Sequence, residues 1–312
     1  MASLILAFEV VFPILVYMMV GFAATKLDIW NEETAMTLNQ LLSVVFLPIL
    51  LFENIRSIDM AQGMNVPVML YALLSVLLTY GLLFIIVPRI EKDNRRRGVM
   101  IQGIYRSNYI IMGIPMTQTI LGQENIGYTA ALIGIFIPLF NILAVVALEI
   151  YRDSAIHWGR ILKNVLKNPF VVATACGFAV LLSGVPFPKI LTTITVSIGR
   201  AATPIALVAM GGCFRFAGAR KCLKQLIITV SGKLVLMPAL WLTVAALLGF
   251  RGHAFISLMS LYGAPVAVSS YSLAQMMGGD TDLASQVVVY TSVFSILTLF
   301  LITFITKSLG LY

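Results

Sequence analysis

Asn108-Tyr109-Ile110-Ile111-Met112-Gly113-Ile114-Pro115 and, 150 residues after its glycine, Gly263-Ala264-Pro265 each lie inside a long, almost uncharged apolar stretch. A proline in a helix interior removes a backbone N–H, crowds the carbonyl four residues back and disfavours helical geometry in the residue before it. The carbonyls freed in this way are those of Ile111 and Leu261. In hydrocarbon such groups are tolerated only against protein or a water-filled cavity. A lone proline in a membrane span is usually a packed kink. Two at corresponding places, each with a glycine before it and polar residues beyond it, point instead to paired broken helices and to the site of a secondary transporter.

The composition around these blocks sets the class. Of 312 residues 60% are hydrophobic and 11% charged, more apolar surface than a soluble domain of this length buries, so the chain reads as a multi-pass membrane protein. The net charge of +8 is not a nucleic-acid footprint, because the positive residues sit in short loops between apolar stretches. Cys176, Cys213 and Cys222 have neither CxxC nor His-paired spacing, and His157 and His253 fall near loops. No zinc motif, P-loop, dinucleotide fingerprint, HExxH or GxSxG is present. No catalytic residues, metal site or cofactor are therefore expected. Leu4 to Thr25 has no basic residue before it and no small-x-small cleavage site, so it is read as the first span rather than a signal peptide.

Division at polar or turn-forming breaks gives ten candidate spans: 4–25, 34–54, 66–88, 98–121, 127–150, 168–184, 190–214, 223–248, 254–277 and 283–306. With the N-terminus on one face, the opposite face collects Lys26, the Arg89–Arg97 cluster, Arg152, Arg160, Lys163, Lys167, Arg215, Arg220, Lys221 and Lys224. The N-terminal face holds only Arg56, Lys189, Arg251 and Lys307. The positive-inside rule thus places both termini outside the cytoplasm, in a plasma (inner) membrane. The Glu91-to-Arg97 run is a solvated anchor beside anionic lipid. Ser154 to Lys167 is no span. Ile161, Leu162, Val165 and Leu166 form one apolar face with Arg160, Lys163 and Lys167 off it, so a helix lying on the cytosolic surface is expected. Asn168-Pro169 then opens span six as an N-cap followed by proline in the first turn.

Five spans on each side of that connector enter the membrane from opposite faces. Phe46-Leu47-Pro48-Ile49-Leu50-Leu51 in span two pairs with Ala202-Thr203-Pro204-Ile205-Ala206-Leu207 in span seven, and the two glycine–proline blocks pair in spans four and nine. Gly122-Gln123-Glu124 likewise pairs with Gly279-Asp280. The expected fold is all-α: ten transmembrane helices in two inverted five-helix repeats with broken crossover helices four and nine. The boundaries are residues 1–152 for the first repeat, 153–167 for the connector and 168–312 for the second.

Site expectations follow from the crossover. Asn108 stands seven residues before Pro115, two turns away and so on the same helix face. A carboxamide at that depth needs another helix or a ligand. Beyond the proline, Met116 to Thr119 should open a half-helix whose free N–H groups and dipole favour an anion. Val266 to Ser269 should open its counterpart in span nine, followed by Ser270. Candidate binding residues are Asn108, Gly113, Ile114, Pro115, Gly263, Pro265, Val266, Ser269 and Ser270. Among ionisable residues inside spans, Arg106, Glu9 and Arg200 are candidate charge partners. Glu53, Glu149 and Lys233 lie near span ends, where a side chain reaching for the interface is the plainer reading. Arg106 either attracts an anion or reaches a lipid phosphate.

The Asn108-to-Pro115 block closely resembles the span-four motif of the auxin efflux carrier family, which includes plant PIN auxin exporters and bacterial malonate-type permeases. Asn39 with Phe46-Leu47-Pro48-Ile49-Leu50-Leu51-Phe52, Lys167-Asn168-Pro169, Ala201-Ala202-x-Pro204-Ile205-Ala206-Leu207, Gly263-Ala264-Pro265 and the final span with Thr298 extend the resemblance over the whole chain. It implies a bile-acid-symporter or sodium/proton-antiporter-like architecture. Spans 1, 2, 6 and 7 would form a scaffold that can dimerise. Spans 3–5 and 8–10 would form a transport domain moving as an elevator, with Asn108 on a substrate carboxylate and Asn39 added to the candidate site. Three departures stand out. The cytosolic loop is short, span three has no ionisable side chain, and Leu50-Leu51 replaces a hydroxyl expected after the span-two proline.

The expected function is transport of small organic anions, malonate-like or indole-acid-like, through the bilayer, with no nucleic-acid partner. Alternatives are a sodium-coupled symporter of the same architecture, with Ser269, Ser270 and Gln275 near the ion, and a membrane sensor that binds an acid without moving it. The coupling ion would be H+ or Na+.

Overall fold

The computed structural model describes residues 2–58, 65–121, 127–152 and 158–312, a few side chains within these ranges excepted. The Gly122-Gln123-Glu124 turn and residues 153–157 of the connector lie outside the described residues. In chain order the helices are α1 (Ala2–Lys26), α2 (Glu32–Leu41), α3 (Leu47–Arg56), α4 (Val66–Ile90), α5 (Asn94–Tyr105), α6 (Tyr109–Leu121), α7 (Gly127–Ile150) and α8 (Trp158–Lys167). They continue as α9 (Pro169–Ser183), α10 (Lys189–Cys213), α11 (Phe216–Lys221), α12 (Leu223–Ser231), α13 (Met237–Leu247), α14 (Gly252–Gly263), α15 (Ser269–Met276) and α16 (Thr281–Ser308).

Among the described residues six stretches are long and apolar enough to cross a membrane: Glu32–Arg56, Val66–Ile90, Gly127–Ile150, Lys189–Cys213, Leu223–Leu247 and Thr281–Ser308. Val11–Lys26 and Ile111–Leu121 are shorter apolar helices. The protein is thus an all-helical, multi-pass membrane protein. Two of the long stretches contain a widened π-turn, at Leu42–Phe46 between α2 and α3 and at Gly232–Leu236 between α12 and α13. Each stands just before a proline, Pro48 or Pro238. The Leu47 N–H reaches back to Leu42 O and the Met237 N–H to Gly232 O. Loosening the turn in this way makes room for the proline ring against the carbonyl four residues earlier, without breaking the rod.

Helix ends follow local rules. Asn168 caps α9 by accepting from the Phe170 N–H at 2.9 Å, with Pro169 at the first helical position. Asp280 caps α16 through the Leu283 N–H at 2.9 Å. The connector helix α8 meets α9 at a bend of 60°. On its apolar face Ile161 and Val165 are buried against the protein, whereas Leu162 and Leu166 are exposed. Residues four apart share a stripe, and Leu162 and Leu166 stand about 100° round from it.

Two sets of helices pack side by side, joined where α1 meets α16 and α6 and where α7 meets α3 and α9. In one, α10 runs against α1, α2 and α3, and α3 lies on α9. The α1–α10 crossing is backbone on backbone. A Cβ at Gly21 would stand 1.8 Å from the Val208 carbonyl oxygen, and one at Gly211 would stand 2.0 Å from that of Met18. Small residues at such crossings supply the close van der Waals contact that replaces the hydrophobic effect in lipid. In the other set α5 contacts α4, α7 and α12, α14 contacts α6 and α13, and α16 contacts α12 and α15. At one end, several basic loops are tied together. Arg96 pairs with Asp280 at 2.9 Å, Arg95 Nε donates to Gly278 O at 3.2 Å, Arg215 pairs with Glu32, and Gln225 donates to the Glu91 carboxylate.

Candidate functional site

Both glycine–proline regions are interrupted, but at different places relative to the proline. In the second, α14 ends at Gly263 and α15 begins at Ser269, so the break spans Pro265 as expected. In the first, α5 ends at Tyr105, Arg106 to Asn108 are non-helical, and α6 runs from Tyr109 through Pro115 to Leu121. The expected break at Pro115 and the expected half-helix start at Met116 to Thr119 are therefore corrected. Asn108 does not share a helix face with Pro115; it stands in the break itself. Pro115 stays within α6, and Ile111, whose carbonyl it strands, is one of the residues that line a cavity. The chain opens earlier because Arg106, Ser107 and Asn108 find partners across the crossover that a continuous helix would deny them.

Those partners account for the interrupted backbone. The Asn108 N–H donates to Pro265 O at 2.7 Å, joining one break to the other. The Ser107 hydroxyl donates at 2.5 Å to Leu261 O, the carbonyl that Pro265 deprives of its helical donor. The Val266 N–H reaches Thr291 Oγ1 at 3.2 Å, and Gln102 Nε2 donates to Ser270 O at 3.1 Å. Buried backbone groups are satisfied in folded proteins almost without exception, and here side chains from three other segments supply what the missing turns do not.

Two cations sit in this centre. Arg106, 2% exposed, donates through Nη2 to Asn141 Oδ1 and to Ser269 Oγ at 2.8 Å, and through Nη1 to Gln102 Oε1 at 3.5 Å. Lys233, fully buried in the second π-turn, donates to Ser107 Oγ. Among the described residues neither has a carboxylate partner. Arg106 is enclosed in protein, which leaves the anion-attracting alternative and excludes the lipid phosphate, and the expectation that Lys233 reaches for the interface is corrected: it points inward because its π-turn faces the crossover.

A cavity of about 120 Å³ opens beside Arg106, Ser107, Asn108 and Ser269, with Asn141, Asn54 and Thr203 also on its wall. Leu50, Leu51, Ile137, Phe140 and Phe170 contribute its apolar side. The side-chain amide nitrogens of Asn108 and Asn54 are buried and have no hydrogen-bond partner among the described residues. Buried polar groups left over in this way are uncommon.

Other candidates fall elsewhere. Gly113, Ile114 and Pro115 lie along α6, outside the cavity lining. Gly263 ends α14, where an added Cβ would meet Leu299 at 2.9 Å. Pro265, Val266 and Ser270 build the crossover backbone without lining the cavity. Asn39 is buried, but against α15: its amide nitrogen donates to Gln275 Oε1, and its Oδ1 accepts from Ser272 Oγ at 2.6 Å. Arg200 is exposed on α10. Glu9 falls on α1, and its side chain lies outside the described residues. Sequence reasoning missed Asn54, Asn141 and Ser107. For Asn141, the rule applied to Asn108, a carboxamide amid apolar residues, was available.

The comparisons agree with one another. The family described as Membrane transport protein matches residues 6–158 and 158–303. A protein named "Uncharacterized transporter" from Methanothermobacter thermautotrophicus is 24% identical over 294 residues, covering 93% of this chain and 95% of that one. "Uncharacterized transporter MJ1031" from Methanocaldococcus jannaschii is 22% identical over 303 residues, covering 93% and 96%. The solved structure of the sodium proton antiporter MjNhaP1 from Methanocaldococcus jannaschii at pH 8 shares the fold, with a TM-score of 0.63 at 13% identity over 96% of each chain.

Proposed function

Because this chain belongs to the membrane transport protein family, in which the auxin efflux carriers it resembles also fall, we propose that it carries small organic anions by alternating access. The site is the crossover of α5–α6 with α14–α15. The observation that carries this reading is Arg106, a buried guanidinium on a cavity wall whose partners among the described residues are all neutral. An ionised group held inside a bilayer without a counter-charge is costly and marks a ligand path. A carboxylate in the cavity supplies the missing charge and takes the unused Asn108 amide donor.

The working fold has ten spans in two inverted repeats, residues 1–152 and 168–312, joined by 153–167, with both termini outside the cytoplasm. The helix set α1, α2, α3, α9 and α10 acts as scaffold, and α4–α7 with α12–α16 as the elevator. The packing of α10 on α1, α2 and α3 supports the scaffold half of this division, and the shared antiporter fold is compatible with it. Hard-cation binding at the crossover is disfavoured by the two buried cations there. Proton coupling is therefore preferred to sodium coupling.

Uptake of labelled organic acids into proteoliposomes, with and without a pH or sodium gradient, tests the proposal. At least one small acid should accumulate. Arg106→Gln and Asn108→Ala should each lower its uptake about tenfold or more, the loss of a charge-assisted contact. Parental uptake by both variants defeats the site assignment.

A further inference from the structure

Resting on the carrier reading above, we infer that the cargo is a short monocarboxylate and that Asn54 is its neutral donor on the scaffold side. Size comes first. The cavity measures about 120 Å³, and since an apolar cavity of roughly 150 Å³ takes benzene, this one has room for about four to six non-hydrogen atoms. That admits acids of two to four carbons. An indole acid is far too large for it.

Charge comes second. Among the described residues Arg106 is the one charged residue on the wall. Lys233 stands behind Ser107, outside the lining, with its ammonium on the Ser107 hydroxyl. One carboxylate therefore meets one guanidinium. A second carboxylate would be pressed against Leu50, Leu51, Phe140 or Phe170, where an unpaired ion is strongly disfavoured. Those same side chains suit a methyl or ethyl tail.

Asn54 completes the argument. It belongs to α3, in the packing group opposite Arg106, and its Nδ2 is buried on the same cavity wall with no partner among the described residues. Asn108 presents an equally unused Nδ2 from the crossover. Two amide donors on facing helix groups, with a guanidinium between neutral partners, match the two oxygens of a single carboxylate. Thr203 of α10 lies on the wall as well.

The test is competition against labelled propionate in proteoliposomes, with acetate, butyrate, malonate, succinate and indole-3-acetate as competitors. Acetate and butyrate should compete at about tenfold lower concentration than either dicarboxylate, and the indole acid should not compete. Asn54→Leu should raise the half-saturating propionate concentration about tenfold, the loss of one hydrogen bond to a charged group. Asn54→Ser, which keeps a short donor, should fall between. Melting curves of the acid-free variants establish that both are folded. Dicarboxylates competing as well as propionate, or unchanged half-saturation in folded Asn54→Leu, overturns the inference and leaves the carrier reading standing. If no acid of the panel moves or shifts the melting curve, the carrier reading itself fails.

Discussion

At the residue scale the most consequential group is one that binds nothing in the cavity. Lys233 has a single described partner, the Ser107 hydroxyl, which in turn donates to the Leu261 carbonyl. Removing that hydroxyl leaves an ammonium and a carbonyl unsatisfied together. Removing the ammonium leaves only a hydroxyl with one acceptor unused. Breaking one side of a buried charged contact is far costlier than deleting the charge itself. Ser107→Ala should therefore destabilise the protein by about 3 kcal/mol, and Lys233→Met by clearly less. The double variant should be no worse than Ser107→Ala alone. Melting temperatures in one detergent measure all three. A Lys233→Met variant less stable than Ser107→Ala contradicts the chain of donors described here.

At the scale of elements, the two prolines do different work. Pro265 lies within its break, and its missing N–H is what frees Leu261 O for Ser107. Pro115 lies inside a continuous α6. Pro265→Ala restores a competing donor and pulls residues 264–268 toward helix. It should lower anion uptake about tenfold, whereas Pro115→Ala should stay within about twofold, one hydrogen bond being the difference. Equal losses from the two would put the active break back at Pro115.

Much of this layer was legible in the sequence because its causes are local. The Asn168-Pro169 start of α9 and the Pro265 interruption each follow from a few adjacent residues. The Arg106–Asn108 break was not, because its partners, Leu261, Pro265, Asn141 and Ser269, lie 35 to 163 residues away. The π-turn that aims Lys233 inward is equally a tertiary outcome. Asn54 carries no local signal, since an asparagine at the end of an apolar span looks like an interface residue.

The loop after α4 carries an acid-sensitive group. Burial pushes the Glu91 carboxyl up, but hydrogen bonds from the Asp93 N–H, the Gln225 amide and the Lys92 N–H, with the Arg96 charge, outweigh it and hold it below the usual carboxylate range. A carboxyl depressed in the folded state contributes stability above its unfolded value of about 4.3. That contribution is lost as pH falls through the lower folded value. Between about pH 5 and pH 3 the parent should therefore lose more melting temperature than Glu91→Gln, which has no charge to lose. Parallel curves remove Glu91 from the acid response.

At the scale of the whole molecule, the alternating access proposed above would have the two helix groups slide, and the contacts joining them would then break in each cycle. Among these is the hydrogen-bonded contact of α2 and its π-turn with α15, beside the broader packing of α1 on α16. Asn39 holds Gln275 and Ser272, and Ser43 Oγ donates to Ser272 O at 3.2 Å. Every member of this cluster except Gln275 is buried, so it packs α2 and its π-turn tightly against α15. Ser43 Oγ lies 3.2 Å from the Ser272 carbonyl oxygen, which makes this pair the place to tie α15 to the π-turn with a disulfide, a bond that needs Cα atoms roughly 4.4–6.8 Å apart. Ser43→Cys with Ser272→Cys, in a background where Cys176, Cys213 and Cys222 are serine, should transport when reduced. On oxidation uptake should fall to the level of empty vesicles, and thiol reagents should restore it, while propionate still shifts the melting curve because the cavity is untouched. Undiminished uptake by the fully cross-linked protein would mean that these helices travel together, and the elevator division between α2 and α15 would have to be redrawn.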